Sequence, residues 1–133
     1  MKNTIFLDTG VISLYQSNHK ETVEEINIKK KNKYNFISSE LNYIEFFNHL
    51  CREKGKIYAQ IIMENLRKGG IIEFITVSEN ISILAGELKC KYKFLSMVDA
   101  IIVAEALTQN IFIYTTETHF KDVDNLKVKK IDY

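Results

Sequence analysis

In Thr4-Ile5-Phe6-Leu7-Asp8-Thr9-Gly10, a short apolar run stops at a carboxylate and passes at once into residues that open a helix. Thr4 to Leu7 is too brief for a buried helix and reads as a buried strand. Similar runs follow at Asn35 to Ile37, Ile71 to Thr76 and Ile111 to Tyr114. A weaker one, Lys127 to Ile131, sets Val128 and Ile131 among lysines, as an edge strand would. Helical spacing fills the intervals. Leu41, Ile44, Phe47 and Cys51 recur after Ser39, and Ile57, Ile61, Ile62 and Leu66 run up to a stop at Gly69-Gly70. Ser78 is placed to cap a helix carrying Ile81, Leu84, Ala85 and Leu88. Ser96 is placed to cap another, with Val98, Ile101, Ile102, Ala106 and Leu107 on its inner side, ending near Asn110. Strands alternating with helices predict an α/β sandwich around a mostly parallel sheet. In such sheets ligands bind beyond the carboxyl ends of the strands, near the switch in strand order. Acids at those ends are therefore the first candidates for chemistry.

The 133 residues fit one domain, residues 1–133, with 46% hydrophobic and 26% charged residues. A net charge of +1 excludes binding of nucleic acid by bulk charge alone but leaves room for a local basic patch. Cys51 and Cys90 are too few for a disulfide framework and sit in helical patterns, so a reduced, cytoplasmic protein with both thiols as small core hydrophobes is expected. No run approaches the ~18 apolar residues of a membrane span, and the first apolar run is too short for a signal peptide. With no proline and five glycines, short polar turns should join the elements.

Four acids stand where ligands would bind. Asp8 ends the first strand, where it is also placed to cap the next helix. Glu45 lies at the border of an apolar helical stripe, either as a solvated rim residue or facing a site. Asp99, in Ser96-Met97-Val98-Asp99, has the spacing of a capping box, yet shares a helix face with Ile102, Val103 and Ala106. Glu117 follows the fourth strand in a polar loop. Each has a structural explanation when taken alone. Carboxylates gathered in one cleft repel one another unless a cation balances them. Such hard oxygen donors suit Mg²⁺ or Mn²⁺ rather than zinc. Two such ions ~3.5–4 Å apart can activate water and steady the leaving oxygen of a phosphodiester.

The blocks Leu7-Asp8-Thr9-Gly10-Val11-Ile12, Ile37-Ser38-Ser39 leading into Glu45, Met97-Val98-Asp99-Ala100-Ile101-Ile102-Val103-Ala104, and Tyr114-Thr115-Thr116-Glu117-Thr118-His119-Phe120 occur in that order. With them, essentially the whole chain resembles a PIN-domain ribonuclease of the VapC toxin type. The resemblance implies a three-layer α/β/α sandwich with a five-stranded sheet, the first strand central and the fourth beside it. It places the metal-binding, catalytic acids on Asp8, Glu45 and Asp99. The fourth acid, usually Asp in a Thr-x-Asp-x-x-Phe context, falls on Glu117, one methylene longer. The hydroxyl near the metal matches Thr115, and Thr9 matches the position after the first acid. A Mg²⁺- or Mn²⁺-dependent endoribonuclease follows, acting as a toxin, restrained by a small antitoxin inserted in the acidic cleft, and forming a homodimer. Phe46, Phe47, Tyr58 and Ile62 are candidates for the dimer surface, in competition with the core.

Basic residues at Lys29, Lys30, Lys31 and Lys33, and at Arg52, Lys54 and Lys56, are candidates for RNA phosphates, although the first run also reads as a solvated turn. His19, His49 and His119 lack zinc-ligand spacing, and His119-Phe120 reads as packing for the loop that presents Glu117. No Gly-rich phosphate loop and no Ser-His-Asp or Cys-His arrangement is present. The alternatives are a PIN nuclease of RNA processing without an antitoxin, or a non-cleaving PIN fold that binds RNA or protein. A phosphoacceptor receiver domain fits less well, because no acidic pair ends the first strand.

Overall fold

The computed structural model describes residues 3–133. Met1 and Lys2, which head the run read as too short for a signal peptide, lie outside them. In chain order the described elements are β1 (Thr4–Leu7), α1 (Thr9–Gln16), α2 (Lys20–Lys31), β2 (Asn35–Ser39), α3 (Glu40–Lys54), α4 (Lys56–Lys68), β3 (Ile72–Ile75), α5 (Glu79–Lys91), α6 (Met97–Gln109), β4 (Phe112–Thr115) and β5 (Lys127–Lys130). All strand pairings are parallel, and the five-stranded sheet runs β3-β2-β1-β4-β5. The first strand is central with the fourth at its side, and the lysine-rich β5 lies at an edge, where charge discourages pairing with another chain.

Strand alternation sorts the core into two layers, one on each face of the sheet. Ile5, Leu7, Phe36 and Tyr114 point to one face and pack with Val11 and Ile12 of α1, Ile26 of α2, Phe46 and Leu50 of α3, and Met63 of α4. Phe6, Ile37 and Ile113 point to the other and pack with α5 and α6 through Ile81, Ala85, Leu88 and Ile102. This is the three-layer α/β/α arrangement. Chain order builds β1, β2 and β3 outward in one direction and then returns to place β4 on the opposite side of β1. The switch point therefore lies between the carboxyl ends of β1 and β4.

Several helix faces differ from the spacing read in the sequence. In α3 the buried stripe is Asn42, Phe46 and Leu50, whereas Ile44 is 63% exposed. The run from Tyr43 to Phe47 offers two competing apolar stripes; the one that wins carries Asn42 inward, where its amide is hydrogen-bonded at both ends. In α4 the small Ala59 and flexible Met63 turn inward, leaving Ile57 and Ile61 exposed. The α3–α4 connection turns at Gly55, whose φ of 92° favours glycine. Phe46 belongs to the core rather than to a surface. Cys51 is partly buried, but Cys90 is exposed on α5, so only one thiol approaches the expected core role. No described helix is long and apolar enough to cross a membrane.

Candidate active site

At the switch point β1 ends in Asp8, which is only 6% exposed. The register pairs Leu7 with Tyr114, and Asp8 N donates to the Tyr114 carbonyl at 3.0 Å, extending the ladder by one residue. Asp8 Oδ1 accepts the Thr9 backbone N–H at 2.7 Å, so the residue caps α1 as its position implied. Asp8 Oδ2 accepts the Thr115 hydroxyl at 2.7 Å, and that hydroxyl in turn accepts the Glu117 backbone N–H at 3.0 Å. The ends of β1 and β4 are thus joined through one buried threonine.

Burial pushes the Asp8 carboxyl up to about 6, against the hydrogen bonds from Thr115 and Thr9. The charges of Asp99 and Glu45 raise it further, which places these three acids within electrostatic reach of one another. Capping and charge clustering therefore coexist at Asp8.

A directed relay reaches Glu45. The Ser39 hydroxyl donates to Asn42 Oδ1 at 2.6 Å, Asn42 Nδ2 to Thr9 Oγ1 at 2.8 Å, and the Thr9 hydroxyl to Glu45 Oε1 at 2.7 Å. Since an amide NH₂ only donates, the Thr9 hydroxyl proton must point at Glu45. Thr9 consequently fixes Asp8 through its backbone and Glu45 through its side chain. Ser38, next to the relay, donates to the Leu7 carbonyl at 2.7 Å and ties β2 to the end of β1.

Asp99 sits in the first turn of α6, where Ser96 Oγ accepts its backbone N–H at 3.1 Å. Its carboxylate lies 2.9 Å from His119 Nε2. His119 Nδ1 is 3.7 Å from Glu117 Oε1, so the imidazole bridges the two acids. The His119 ring is held against Phe120 at 4.6 Å between centroids, and Phe120 is fully buried. The Glu117 side chain is 56% exposed and is the most open of the acids joined by these contacts.

Gly10 completes the local design. A Cβ there would run into the Thr116 hydroxyl, so the start of α1 approaches the loop after β4 as only glycine allows. Beside it, Thr9, Glu45, Asn48, Arg52, Thr116 and Glu117 line an open cavity of about 590 Å³. Of the basic candidates, Arg52 reaches this cavity. Lys54 lies over the Tyr58 ring at 5.8 Å, and Lys56 begins α4. Lys29, Lys30 and Lys31 form the last turn of α2, with Lys33 in the turn beyond it.

Two parts of this arrangement escape the sequence reading. His119 packs on Phe120 as its position suggests, but a short 3₁₀ turn at His119–Asp122 also folds its ring back onto Asp99, which no local spacing announces. Asn42 is the other: Ser39-x-x-Asn42 at a helix start is a spacing at which cap and side chain meet.

Among the described residues no three Asp, Glu, His or Cys side chains converge closely enough to clasp a metal ion as they stand. Asp8 is held by threonine, Glu45 by Thr9 and Asp99 by His119. The donor chemistry nonetheless fits a hard divalent cation: carboxylate oxygens predominate, and such a charge would offset the burial that raises Asp8 and the charges of Asp99 and Glu45 that add to it.

The family profile described as PIN domain matches residues 5–126. No curated protein matches the sequence. Among solved structures, VapBC2 from Rickettsia felis, bound to a DNA fragment from its promoter, is similar with a TM-score of 0.83 and 19% identity, over 97% of this chain and 99% of that one. DNA-bound VapBC from Salmonella typhimurium gives 0.78 and 15%, over 96% and 97%. VapC20 from Mycobacterium tuberculosis, described as a sarcin-ricin loop cleaving toxin, gives 0.62 and 18%, over 82% and 86%.

Proposed function

The chain belongs to the PIN domain family, and we propose that it is a VapC-like toxin: a Mg²⁺- or Mn²⁺-dependent endoribonuclease of the cytoplasm, restrained by a small antitoxin. The observation that carries this reading is Asp8, buried at the switch point and coupled in charge to Asp99 and Glu45. Asp8, Glu45 and Asp99 would hold the cation, with Glu117 as fourth acid. When bound, the cation supplies activation of a water molecule and neutralisation of charge on the leaving oxygen of the phosphodiester.

The protein's own contribution is orientation. Thr115 and the Thr9 backbone fix the two oxygens of Asp8, while the Ser39–Asn42–Thr9 relay fixes Glu45. His119 holds one oxygen of Asp99 and steadies the exposed Glu117. Arg52, which lines the same cavity as Glu117, supplies a positive charge for the RNA backbone. The structures of VapBC on the same fold support an antitoxin as partner, and the acidic cleft is where we would place it. A homodimer would cover apolar side chains exposed on α3 and α4, namely Ile44, Ile57, Tyr58 and Ile61.

The test is cleavage of single-stranded RNA by the purified chain with Mg²⁺ or Mn²⁺ and with a chelator, together with growth of a host expressing it. Metal-dependent cleavage with growth arrest supports the whole reading. Metal-dependent cleavage with harmless expression moves the chain to RNA processing, and no cleavage of any RNA leaves a binding module.

A further inference from the structure

Away from the acidic edge, the β4–β5 side of the sheet carries a second concavity of about 260 Å³ on the face that packs against α2. Its walls bring together Lys29, Tyr34, Phe112, Tyr114, Lys127 and Lys129 from α2, the following turn, β4 and β5. None of their side chains takes part in the hydrogen bonds that orient the acids. Phe112, the first residue of β4, is 45% exposed, although its neighbours in the strand are buried.

Cations and rings alternate along the cleft. Lys29 Nζ lies 4.8 Å from the Tyr34 centroid, Lys127 Nζ 5.6 Å from Phe112, and Lys129 Nζ 5.5 Å from Tyr114. Glu25 of α2 accepts the Tyr114 hydroxyl at 2.7 Å and pairs with Lys129 at 3.1 Å. Those two bonds tie α2 to β4 and β5, brace the cleft and neutralise one lysine. Among the described residues neither Lys29 nor Lys127 has a carboxylate within 4.0 Å. Two ammonium groups beside accessible rings thus remain available for an anionic, aromatic ligand.

We infer that this cleft is a second binding site for single-stranded RNA, with a base stacked on Phe112 and the flanking phosphates on Lys127 and Lys29. Proteins that hold single strands without reading sequence combine these elements: a positive groove for the backbone and aromatic faces for the bases. The volume is just below that of a drug-sized pocket, as suits one base. A free phosphate or an acidic peptide needs the lysines but gains little from Phe112, and so accounts for half of the arrangement. Phe112 lies on the same strand as Thr115, about 10 Å away at the rise of a β-strand, so the cleft is a contact distinct from the point of cleavage. The inference rests on the proposed RNA substrate and extends it, giving longer RNAs an advantage over short ones.

The test is RNA binding by the full chain in chelator, where cleavage does not intrude. Fluorescence anisotropy would use a labelled oligouridylate of about ten nucleotides and, separately, an acidic peptide of matched charge. Phe112→Leu should weaken oligouridylate binding about five- to tenfold, while Phe112→Tyr, which keeps the ring, should bind as wild type. The double variant Lys29→Ala/Lys127→Ala should weaken it further and lower the log–log salt slope by about 1.4. These side chains lie at the surface of the cleft, and unchanged thermal unfolding confirms that each variant folds. The inference is overturned if wild type binds no oligouridylate, or if these variants bind it as wild type does. It is also overturned if the peptide binds as tightly and Phe112→Leu changes nothing, which makes the cleft a peptide site. Binding that depends on Phe112 in a protein that never cuts RNA would refute the nuclease reading alone. Cleavage by a protein whose variants bind normally would refute the cleft alone.

Discussion

The Thr115 hydroxyl donates to Asp8 Oδ2 at 2.7 Å while accepting the Glu117 backbone N–H, so one buried side chain couples the first acid to the loop that carries the last. Thr115→Val keeps the shape and removes both bonds. It strands a buried carboxylate oxygen and a backbone donor, at a cost of about 1–3 kcal/mol for an unsatisfied group. Cleavage should fall by about 10–100-fold, as for loss of a group that orients a metal ligand, and the unfolding temperature should drop. Thr115→Ser should retain most of both. Wild-type cleavage by Thr115→Val would show that the link has no catalytic consequence.

Gly10 and Thr116 form a steric pair. Gly10→Ala should displace the loop after β4 and with it Glu117, because the new methyl meets the Thr116 hydroxyl. The double variant Gly10→Ala/Thr116→Ala should recover part of the lost cleavage, since the obstructing atoms are gone. Additive losses in this double-mutant cycle would contradict a direct clash.

His119 bridges Asp99 and Glu117 at 2.9 and 3.7 Å. His119→Ala should lower kcat more than it raises KM for RNA, since the ring positions acids rather than substrate. His119→Gln, which retains a donor near Asp99, should lie between alanine and wild type. Glu117→Ala should weaken the Mg²⁺ dependence of cleavage less than Asp8→Asn abolishes it, as fits its exposed position. A Mg²⁺ titration of cleavage rate across these variants reads all of these effects, and identical titrations for wild type and Glu117→Ala would remove Glu117 from the site.

Glu105 is buried on α6, and burial raises its carboxyl above the ordinary 4.5 in spite of a hydrogen bond from Gln109. A carboxyl raised in the folded state binds its proton more tightly there than in the unfolded chain. Its cost to stability is thus absent at acidic pH, grows as pH rises through the ordinary value, and is complete above the folded one. Glu105→Gln should raise the unfolding temperature at pH 7, with the gain vanishing in acid. A gain independent of pH would point to packing instead.

The strands and capped helix starts were legible because their signals are local. Thr4 to Leu7 ends at Asp8 in the structure as in the sequence, and Ser78 and Ser96 cap α5 and α6. Helix faces were less legible where apolar residues crowd. Ile44 and Phe46 compete for the inside of α3, and the tie is broken by Asn42, whose partners are contributed by β2 and α1. The acids could be named from their motifs, but their attachments could not. The bonds from Thr115 to Asp8 and from His119 to Asp99 span 107 and 20 positions in the chain. Such pairings depend on strand order and on a short turn whose hydrophobic anchor, Phe120, is distant from the chemistry.

The central claim is that Asp8 serves the chemistry rather than the fold, and Asp8→Asn separates the two. Asparagine is as good a helix cap: its oxygen still accepts the Thr9 N–H, its NH₂ takes the place of Oδ2 and can only donate to the Thr115 oxygen, and the buried charge is removed. The measurement is cleavage of single-stranded RNA in Mg²⁺ or Mn²⁺ by wild type and Asp8→Asn, with the unfolding temperature of each. The expected result is metal-dependent cleavage by wild type, abolished by chelator, and a loss of at least about 100-fold in Asp8→Asn with an unfolding temperature equal to or above that of wild type. Undiminished cleavage by Asp8→Asn, or full wild-type cleavage in the chelator, would contradict it.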